Sequence, residues 1–263
     1  HLTITQTKFV TNPASPARQD TTLWQVPLLC DELSTTVISK KRTTIPYDDH
    51  PPIQINENQT GFYRVRYDET IQHNQMRAIE TGSLSEIDRM SLLSDGFEIT
   101  RAGYQPIVEY LTLLSHFKSE SSLPVWEIIA GSLGSIRQTL SATDTDDTLR
   151  DLMKPFISAL TAKQLTTLGW EKRENEKHLE TLLRPLIIAL SAGADDKSTT
   201  AKLLDLYRQR IAHDAPIDPD IRATVYGTAA RLGGEKEFNE LLSLYKASLS
   251  SDEKLSLTAA MTS

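Results

Sequence analysis

The stretch that decides the fold is Gly61-Phe62-Tyr63-Arg64-Val65-Arg66-Tyr67-Asp68. Successive side chains of a strand face opposite ways. Tyr63, Val65 and Tyr67 therefore share one apolar face, and the two arginines lie on the other face with Phe62. The apolar face predicts burial against a core, and the arginine face needs anionic or carbonyl partners wherever it is covered. We expect a strand that closes one layer of structure and docks it against the next.

The residues before Asp68 show a pattern of short strands and turns. A loop rich in proline, serine and aspartate is predicted over residues 11–22, and residues 45–53 hold three prolines, which is typical of an irregular or edge segment. Turn signals recur every ~8–12 residues, which favours a small all-β sandwich over residues 1–68. Its predicted strands cover residues 1–9, 23–29, 35–41, 53–55 and 61–68.

After Asp68 the apolar period changes to that of helices. A capping box of Ser83 and Glu86 predicts one helix start, and Asp218 before Pro219 predicts another. Pro155 and Pro185 predict kinks inside helices. The other predicted helices cover or begin at residues 106–118, 124, 144–147, 178–190, 198–212, 238–249 and 250.

These helices are spaced by ~15–20 residues, and a pair of them is near the ~40-residue unit of HEAT-type arrays. We therefore predict an α-helical HEAT/ARM-like superhelix over residues 69–263, which we expect to be incomplete at its C-terminus. The predicted fold class is α+β and multidomain, with a β-sandwich spacer over residues 1–68 followed by the superhelix.

Composition excludes several classes of function. The net charge of -7 argues against nucleic acid as a partner, and no apolar run approaches the ~20 residues of a membrane span. The single cysteine, Cys30, has no internal disulfide partner. No H-E-x-x-H motif occurs, so we expect no metal site and no cofactor in this chain. The six histidines are His1, His50, His73, His116, His178 and His213.

Two carboxylates stand on an apolar stripe of the helix after Ser83, namely Asp88 and Asp95. One interpretation is a general acid/base pair, which would make this chain an enzyme with a new site. The other, which we prefer, is a pair of structural anchors, because no third catalytic element lies nearby. We hypothesise that Arg64 or Arg66 pairs with Asp88 or Asp95. The triplet Asn58-Gln59-Thr60 also matches an N-glycosylation sequon.

The order of several motifs resembles the C-terminal half of the zinc aminopeptidases of the alanyl and puromycin-sensitive type, the gluzincin family. Arg66 departs from the asparagine or other small polar residue found in many relatives. The matching segments are residues 5–9 (TQTKF), 23–28 (LWQVPL), 58–68 (NQTGFYRVRYD), 87–89 (IDR), 92–97 (LLSDGF), 101–103 (RAG), 126 (W), 168–170 (LGW) and 219–222 (PDIR).

This resemblance implies a spacer sandwich and a superhelix that act as the hinge and wall of a peptide chamber. The zinc, its ligands and every catalytic residue are expected in the missing catalytic domain, so no catalytic or metal residue is assigned here and the chain alone is predicted to be inactive. The implied partners are the protein's own catalytic domain and peptides with a free N-terminus, and we expect a cytoplasmic location. The residues of the structural motif are Gly61, Phe62, Tyr63, Arg64, Tyr67, Asp88, Arg89 and Asp95.

A second interpretation comes from another class of protein. A stand-alone adaptor would use the same sandwich and helical array to bind a protein partner. The reading frame upstream of His1 separates the two, because only the aminopeptidase requires H-E-x-x-H followed by a glutamate about one helix further on.

Overall fold

A computed structural model describes residues 1–33, 37–47, 53–143 and 147–262. The chain divides into two compact units, residues 1–132 and residues 133–263. We call them the N-terminal unit and the C-terminal unit. The strands all lie in the N-terminal unit within the described ranges, and helices make up most of the rest.

The strands form two small antiparallel ladders. β1 (Leu2–Thr5) pairs with β4 (Arg42–Ile45), and β2 (Val26–Pro27) pairs with β3 (Val37–Ile38). Leu2 opposite Ile45 and Val26 opposite Ile38 fix the two registers. Both ladders contribute to one buried apolar cluster, formed by Leu2, Leu28, Cys30, Leu33, Ile38, Ile45, Ile53 and Ile55.

Several strand predictions are wrong. Residues 53–55 and the stretch 61–68 lie in no strand, whereas β4 was not predicted because its Arg42-Thr43-Thr44 start is polar. The predicted strands at 23–29 and 35–41 shrink to two residues each. Residues 35–36 of the latter lie outside the described residues, as do residues 48–52 of the proline-rich segment.

The face assignment of the deciding stretch is nevertheless confirmed. Tyr63, Val65 and Tyr67 pack against the apolar cluster of the ladders, while Phe62 is fully exposed and Arg66 is exposed. Side chains replace the missing ladder, because the Val65 N–H and the Tyr63 carbonyl bond to carboxylate and amide groups of other segments.

Helices begin directly after this stretch. The N-terminal unit holds α1 (Glu69–Thr81), α2 (Glu86–Arg101) and α3 (Ile107–Ser115), and α4 (Leu123–Thr143) runs from this unit into the next. The side chain of Asp68 caps α1 by accepting a hydrogen bond from Ile71 N at 3.0 Å.

The predicted capping box at the start of α2 is wrong by two residues. Ser85 is the N-cap, and its Oγ accepts from the Asp88 amide at 3.1 Å. Ser83 instead donates its amide to Ala78 O at 2.9 Å at the end of α1. Ser85 and Asp88 have the same three-residue spacing as Ser83 and Glu86, so pattern alone does not choose between them.

The C-terminal unit is helical throughout the described residues. Asp218 caps α8 (Pro219–Leu232), with Pro219 as the first helical residue, as predicted. Pro155 and Pro185 lie inside helices, and the start predicted at 144–147 falls partly on residues 144–146, which are outside the described residues. The helices that begin in the C-terminal unit, within the described residues, are α5 (Thr148–Leu168), α6 (His178–Gly193), α7 (Lys197–His213), α8 (Pro219–Leu232), α9 (Glu235–Ala247) and α10 (Ser251–Met261).

The core of the C-terminal unit surrounds α8, which packs against α6, α7 and α10. Val225, Tyr226 and Ala229 of α8 are fully buried there. Across the ranges that the structure describes, none of the helices combines the length and the hydropathy that crossing a bilayer requires.

Candidate functional site

The predicted anchor of the deciding stretch is Asp95 on α2. Its Oδ1 accepts from Arg64 Nη1 at 2.9 Å, and its Oδ2 accepts from the Val65 amide at 2.9 Å. Burial raises the pKa of Asp95, while the Val65 amide and the Arg64 guanidinium oppose that rise. One carboxylate therefore joins α2 to both the side chain and the backbone of the stretch. Arg64–Asp95 is one of the four pairings that we hypothesised.

Asp88, two turns earlier on α2, has different partners. Its Oδ2 accepts from Ser85 Oγ at 2.6 Å, and its Oδ1 accepts from the Asn58 amide at 3.3 Å. Seven helical residues separate the two carboxylates along the axis by roughly 10 Å. The Asn58 amide donates to Asp88 and the Val65 amide donates to Asp95. This geometry suits two separate anchors better than an acid/base pair that acts on one substrate.

A row of aromatic and cationic groups extends from Arg64. Its guanidinium lies 5.4 Å from the centre of the Phe9 ring, and Phe9 stacks on Tyr104 with the ring centres 5.6 Å apart. Arg18 lies over the other ring at 3.9 Å and donates to Ala102 O at the end of α2. Cation–π and stacking contacts thus tie Phe9 and Arg18 both to Arg64 and to the end of α2. We call the region where residues 61–68 meet α2 the junction.

Arg89 forms a second anchor one turn from Ser85. Its Nε and Nη2 donate to the two oxygens of Glu120 at 2.6 and 3.1 Å, and its Nη1 donates to Leu84 O at 2.7 Å. The same Glu120 carboxylate accepts from the amides of Ser121 and Ser122 at 2.9 and 2.8 Å. The carboxylate of this bidentate pair is buried and the guanidinium is 17% exposed, so the pair links α2 firmly to the start of α4.

Two tyrosines of the motif hold its buried face. Tyr67 Oη accepts from Ile55 N at 2.9 Å and donates to Ile55 O at 3.3 Å, and burial raises the pKa of this phenol. Tyr63 Oη accepts from Leu29 N at 3.5 Å, and burial raises its pKa as well. Gly61 lies against Asn56, whose Oδ1 accepts its amide at 2.6 Å.

The resemblance implies a zinc site of two histidines and a glutamate in the family. Only one group of three ligand-type side chains converges within the described residues, and it consists of Cys30, Glu32 and Glu57 within 4.8 Å of one another. It contains no histidine, and Cys30 Sγ donates to Glu32 at 3.1 Å. The residues described here do not fit a site of two histidines and a glutamate.

Ion pairs also connect the helices of the C-terminal unit. Asp195 contacts Lys154 of α5 at 2.8 Å and pairs with Arg231 of α8. Glu253 of α10 accepts from Tyr226 Oη of α8 at 2.7 Å. Charged side chains therefore fix the spacing of helices that are distant in sequence.

A groove of about 370 Å³ lies between α7, α8 and α9 of the C-terminal unit. It is lined by Leu204, Ile211 and Leu232 together with Arg208, Lys236 and two glutamates. The lining of this groove thus combines apolar side chains with charges of both signs.

Sequence reasoning missed several residues of the junction. Glu120 lies in a loop 31 residues from Arg89, and nothing in the local pattern marks it. The cation over Tyr104 was missed for the same reason, since Arg18 is 86 positions away from that ring in the numbering. Asn56 had a visible signal, because asparagine tolerates the left-handed backbone of a tight turn, and its φ is 64°.

Comparisons with known proteins cover nearly the whole chain. Residues 52–263 match the ERAP1-like C-terminal domain family. Aminopeptidase 2 from Candida albicans is 28% identical over 97% of this chain and 28% of its own length. Alanine/arginine aminopeptidase from Saccharomyces cerevisiae is 25% identical over 97% of this chain and 30% of its own length. Puromycin-sensitive aminopeptidase from Caenorhabditis elegans is 23% identical over 92% of this chain and 26% of its own length.

The chain thus spans between about a quarter and three tenths of the length of these relatives. The resemblance inferred from the order of the motifs is confirmed. The chain belongs to the ERAP1-like C-terminal domain family and corresponds to the C-terminal part of aminopeptidases of this kind.

Proposed function

We propose that this chain is the non-catalytic C-terminal region of a zinc-dependent aminopeptidase that removes N-terminal residues from peptides. One observation carries this proposal, namely that the chain aligns along almost all of its length with relatives named aminopeptidases but spans less than a third of them. The zinc would lie in the part of those proteins that this chain does not cover, because the described residues do not fit its ligand set.

The proposed role of residues 1–68 is that of a spacer and hinge, with the boundary to the helical region at Asp68. The helix cap at Asp68 and the bonds of Asp95 to Arg64 and Val65 support a defined joint at this position. We propose that the ladders belong to a small sandwich, since both contribute to one apolar cluster.

The helices from Glu69 onward would form part of a HEAT-like superhelix that walls a peptide chamber. Within the C-terminal unit, α5 packs on α6 and α7 packs on α8, as successive helices do in such arrays. The groove between α7, α8 and α9 offers a surface for the peptide. The partners would be the protein's own catalytic domain and peptides with a free N-terminus, and the protein would act in the cytoplasm.

The test compares this chain with the full reading frame that encodes it. With aminoacyl-fluorophore substrates and zinc, we expect turnover from the full protein and none from this chain alone. In the full protein, Arg64→Leu would change kcat/KM for peptides of about ten residues more than for aminoacyl-fluorophores, because a loosened hinge affects the chamber and not the chemistry.

Two results would contradict the proposal. Turnover by this chain alone that is lost in Asp95→Asn would place an active site at the junction. An upstream frame without H-E-x-x-H and its downstream glutamate would favour the adaptor that binds a protein partner.

A further inference from the structure

The turn before the deciding stretch has an unusual backbone. Asn56, Asn58 and Gln59 have φ values of 64°, 54° and 52°, so three of four consecutive residues are left-handed without being glycine. Asparagine adopts this conformation at modest cost, but glutamine seldom does. A segment strained in this way persists only where its surroundings hold it closed.

The side chain of Asn56 supplies most of that hold. Its Oδ1 accepts from the Gly61 amide at 2.6 Å, and its Nδ2 donates to Gly61 O at 3.0 Å and to Tyr63 O at 3.2 Å. Asn56 is only 4% exposed, so water does not replace these bonds while the turn is closed. A single buried amide thus closes the turn with three hydrogen bonds.

Gly61 is required for this closure. A Cβ at position 61 would lie 2.4 Å from the Tyr63 ring and 2.8 Å from Asn56 Oδ1. Any side chain at this position would push the amide of Asn56 away from its partners.

The turn also contacts two other segments. Glu57 donates its amide to Leu29 O at 2.9 Å, and the Asn58 amide donates to Asp88 on α2 at 3.3 Å. The closed turn therefore places the start of the stretch beside α2, where Val65 reaches Asp95.

The base of this loop is secured separately. Tyr67 Oη bonds to both the amide and the carbonyl of Ile55, and Ile53 and Ile55 are buried in the apolar cluster of the ladders. The two ends of the loop of residues 56–66 are therefore held together by the Ile55–Tyr67 bonds. The loop can open locally while the ladders stay folded.

We propose that Asn56 is a latch and that residues 56–66 form a two-state segment within the N-terminal unit. In the closed state the latch outweighs the left-handed strain and sets Arg64 and Val65 on Asp95. When the latch is released, the strain opens the segment and frees Asp95. This device depends on contacts within the N-terminal unit only, and it stands whether or not the chain serves an aminopeptidase.

Hydrogen exchange on the whole chain tests the latch. Asn56→Asp keeps an acceptor for the Gly61 amide but sets a carboxylate against two carbonyl oxygens. We expect exchange at the Gly61 and Val65 amides to accelerate by about tenfold or more, with exchange in β1, β4 and α8 unchanged. Asn12→Asp is the matched control, because it introduces the same charge at an exposed asparagine whose Oδ1 retains its bond from Ala14 N.

A change in the opposite direction makes the test independent of folding defects. Gln59→Gly removes left-handed strain and leaves the latch intact, so exchange at Gly61 and Val65 is expected to slow several-fold. Uniform acceleration across both ladders in Asn56→Asp, or unchanged exchange at Gly61 in Gln59→Gly, would overturn the proposal. If Asn56→Asp does not fold, exchange of the unaltered chain in low urea decides, because opening of 56–66 only through global unfolding also overturns it.

Discussion

Arg64 and Asp95 form an ion pair of 2.9 Å that joins the segment after the ladders to the second helix. The carboxylate is the more buried partner, with 13% of its side chain exposed against 34% for the guanidinium. Asp95 also accepts the Val65 amide, so the pair fixes the backbone as well as the side chains. A joint built in this way is sensitive to the loss of either partner.

Replacing Arg64 by leucine is expected to lower the free energy of unfolding by about 1–2 kcal/mol, because Asp95 then keeps only one of its two donors in a buried position. Urea denaturation measures this change, and limited proteolysis near Asp68 reports the loosened joint. Arg66→Leu is the matched control, since no hydrogen bond or ion pair of the Arg66 side chain occurs within the described residues. Equal effects of the two substitutions would contradict the role given to Arg64.

Glu120→Gln is expected to destabilise the N-terminal unit more strongly, by about 3 kcal/mol or more. The glutamate accepts four hydrogen bonds, and its amide replacement would face those donors with an NH2 group and leave Arg89 buried without its anion. Thermal unfolding followed by circular dichroism tests this. The control is Glu127→Gln on the exposed side of α4, and a comparable loss there would refute the argument.

Asp195 predicts an acid-sensitive stability of the C-terminal unit. Burial alone would raise its pKa, but hydrogen bonds from Lys154 and Arg231 outweigh burial and lower it. A carboxyl whose folded pKa is depressed stabilises the fold above its unfolded pKa of about 4, and this contribution is lost as the pH falls through the folded pKa.

Asp195→Asn should therefore lower the melting temperature at pH 7. The gap in melting temperature between this variant and the unaltered chain should shrink as the pH is lowered from about 5 to below 3. Melting curves at four or five pH values provide the measurement. Asp252→Asn, at an exposed position of α10, should show a small difference with little pH dependence. A gap for Asp195→Asn that stays constant down to pH 3 would be inconsistent with this account.

The Cys30 thiol is expected to be unreactive in the folded chain. Burial, followed by the neighbouring Glu32, raises the pKa of this thiol to about 12, so the thiolate fraction at pH 8 is about 10⁻⁴. Labelling with an aromatic disulfide should need unfolding, and its rate should rise with urea in parallel with loss of structure. Glu32→Gln should speed labelling of the folded chain only slightly, since burial is the larger cause of the raised pKa of Cys30. Rapid labelling of the unaltered, folded chain would contradict this prediction.

Sequence periodicity predicted the helices well, and the reason is visible in α8. Asp218 before Pro219 marks its start, and Ile221, Val225 and Ala229 of its apolar stripe face one core, whereas Leu232 at its end is half exposed. The predicted start of α2 was wrong by two residues, because Ser85 has the same capping pattern as Ser83 and only the contact of Ser83 with the end of α1 distinguishes them.

The deciding stretch shows what periodicity does not predict. Alternation correctly separated Tyr63 and Val65 from Phe62, since burial depends only on which way a side chain points. It did not predict the absence of a ladder, because the partners of the backbone are side chains of Asn56 and Asp95. Such contacts depend on the tertiary fold, so the local sequence pattern does not predict them.

The few contacts that hold residues 61–67 determine how this region tolerates insertions and deletions. A strand in a sheet slides against a long row of equivalent partners, whereas residues 61–67 are held at a few discrete points. Adding one residue between Gly61 and Val65 would turn Tyr63 outward and bring Phe62 toward the apolar cluster, and the Asp95 carboxylate would meet the wrong amide. Relatives that keep this joint should therefore hold the number of residues from Gly61 to Tyr67 constant.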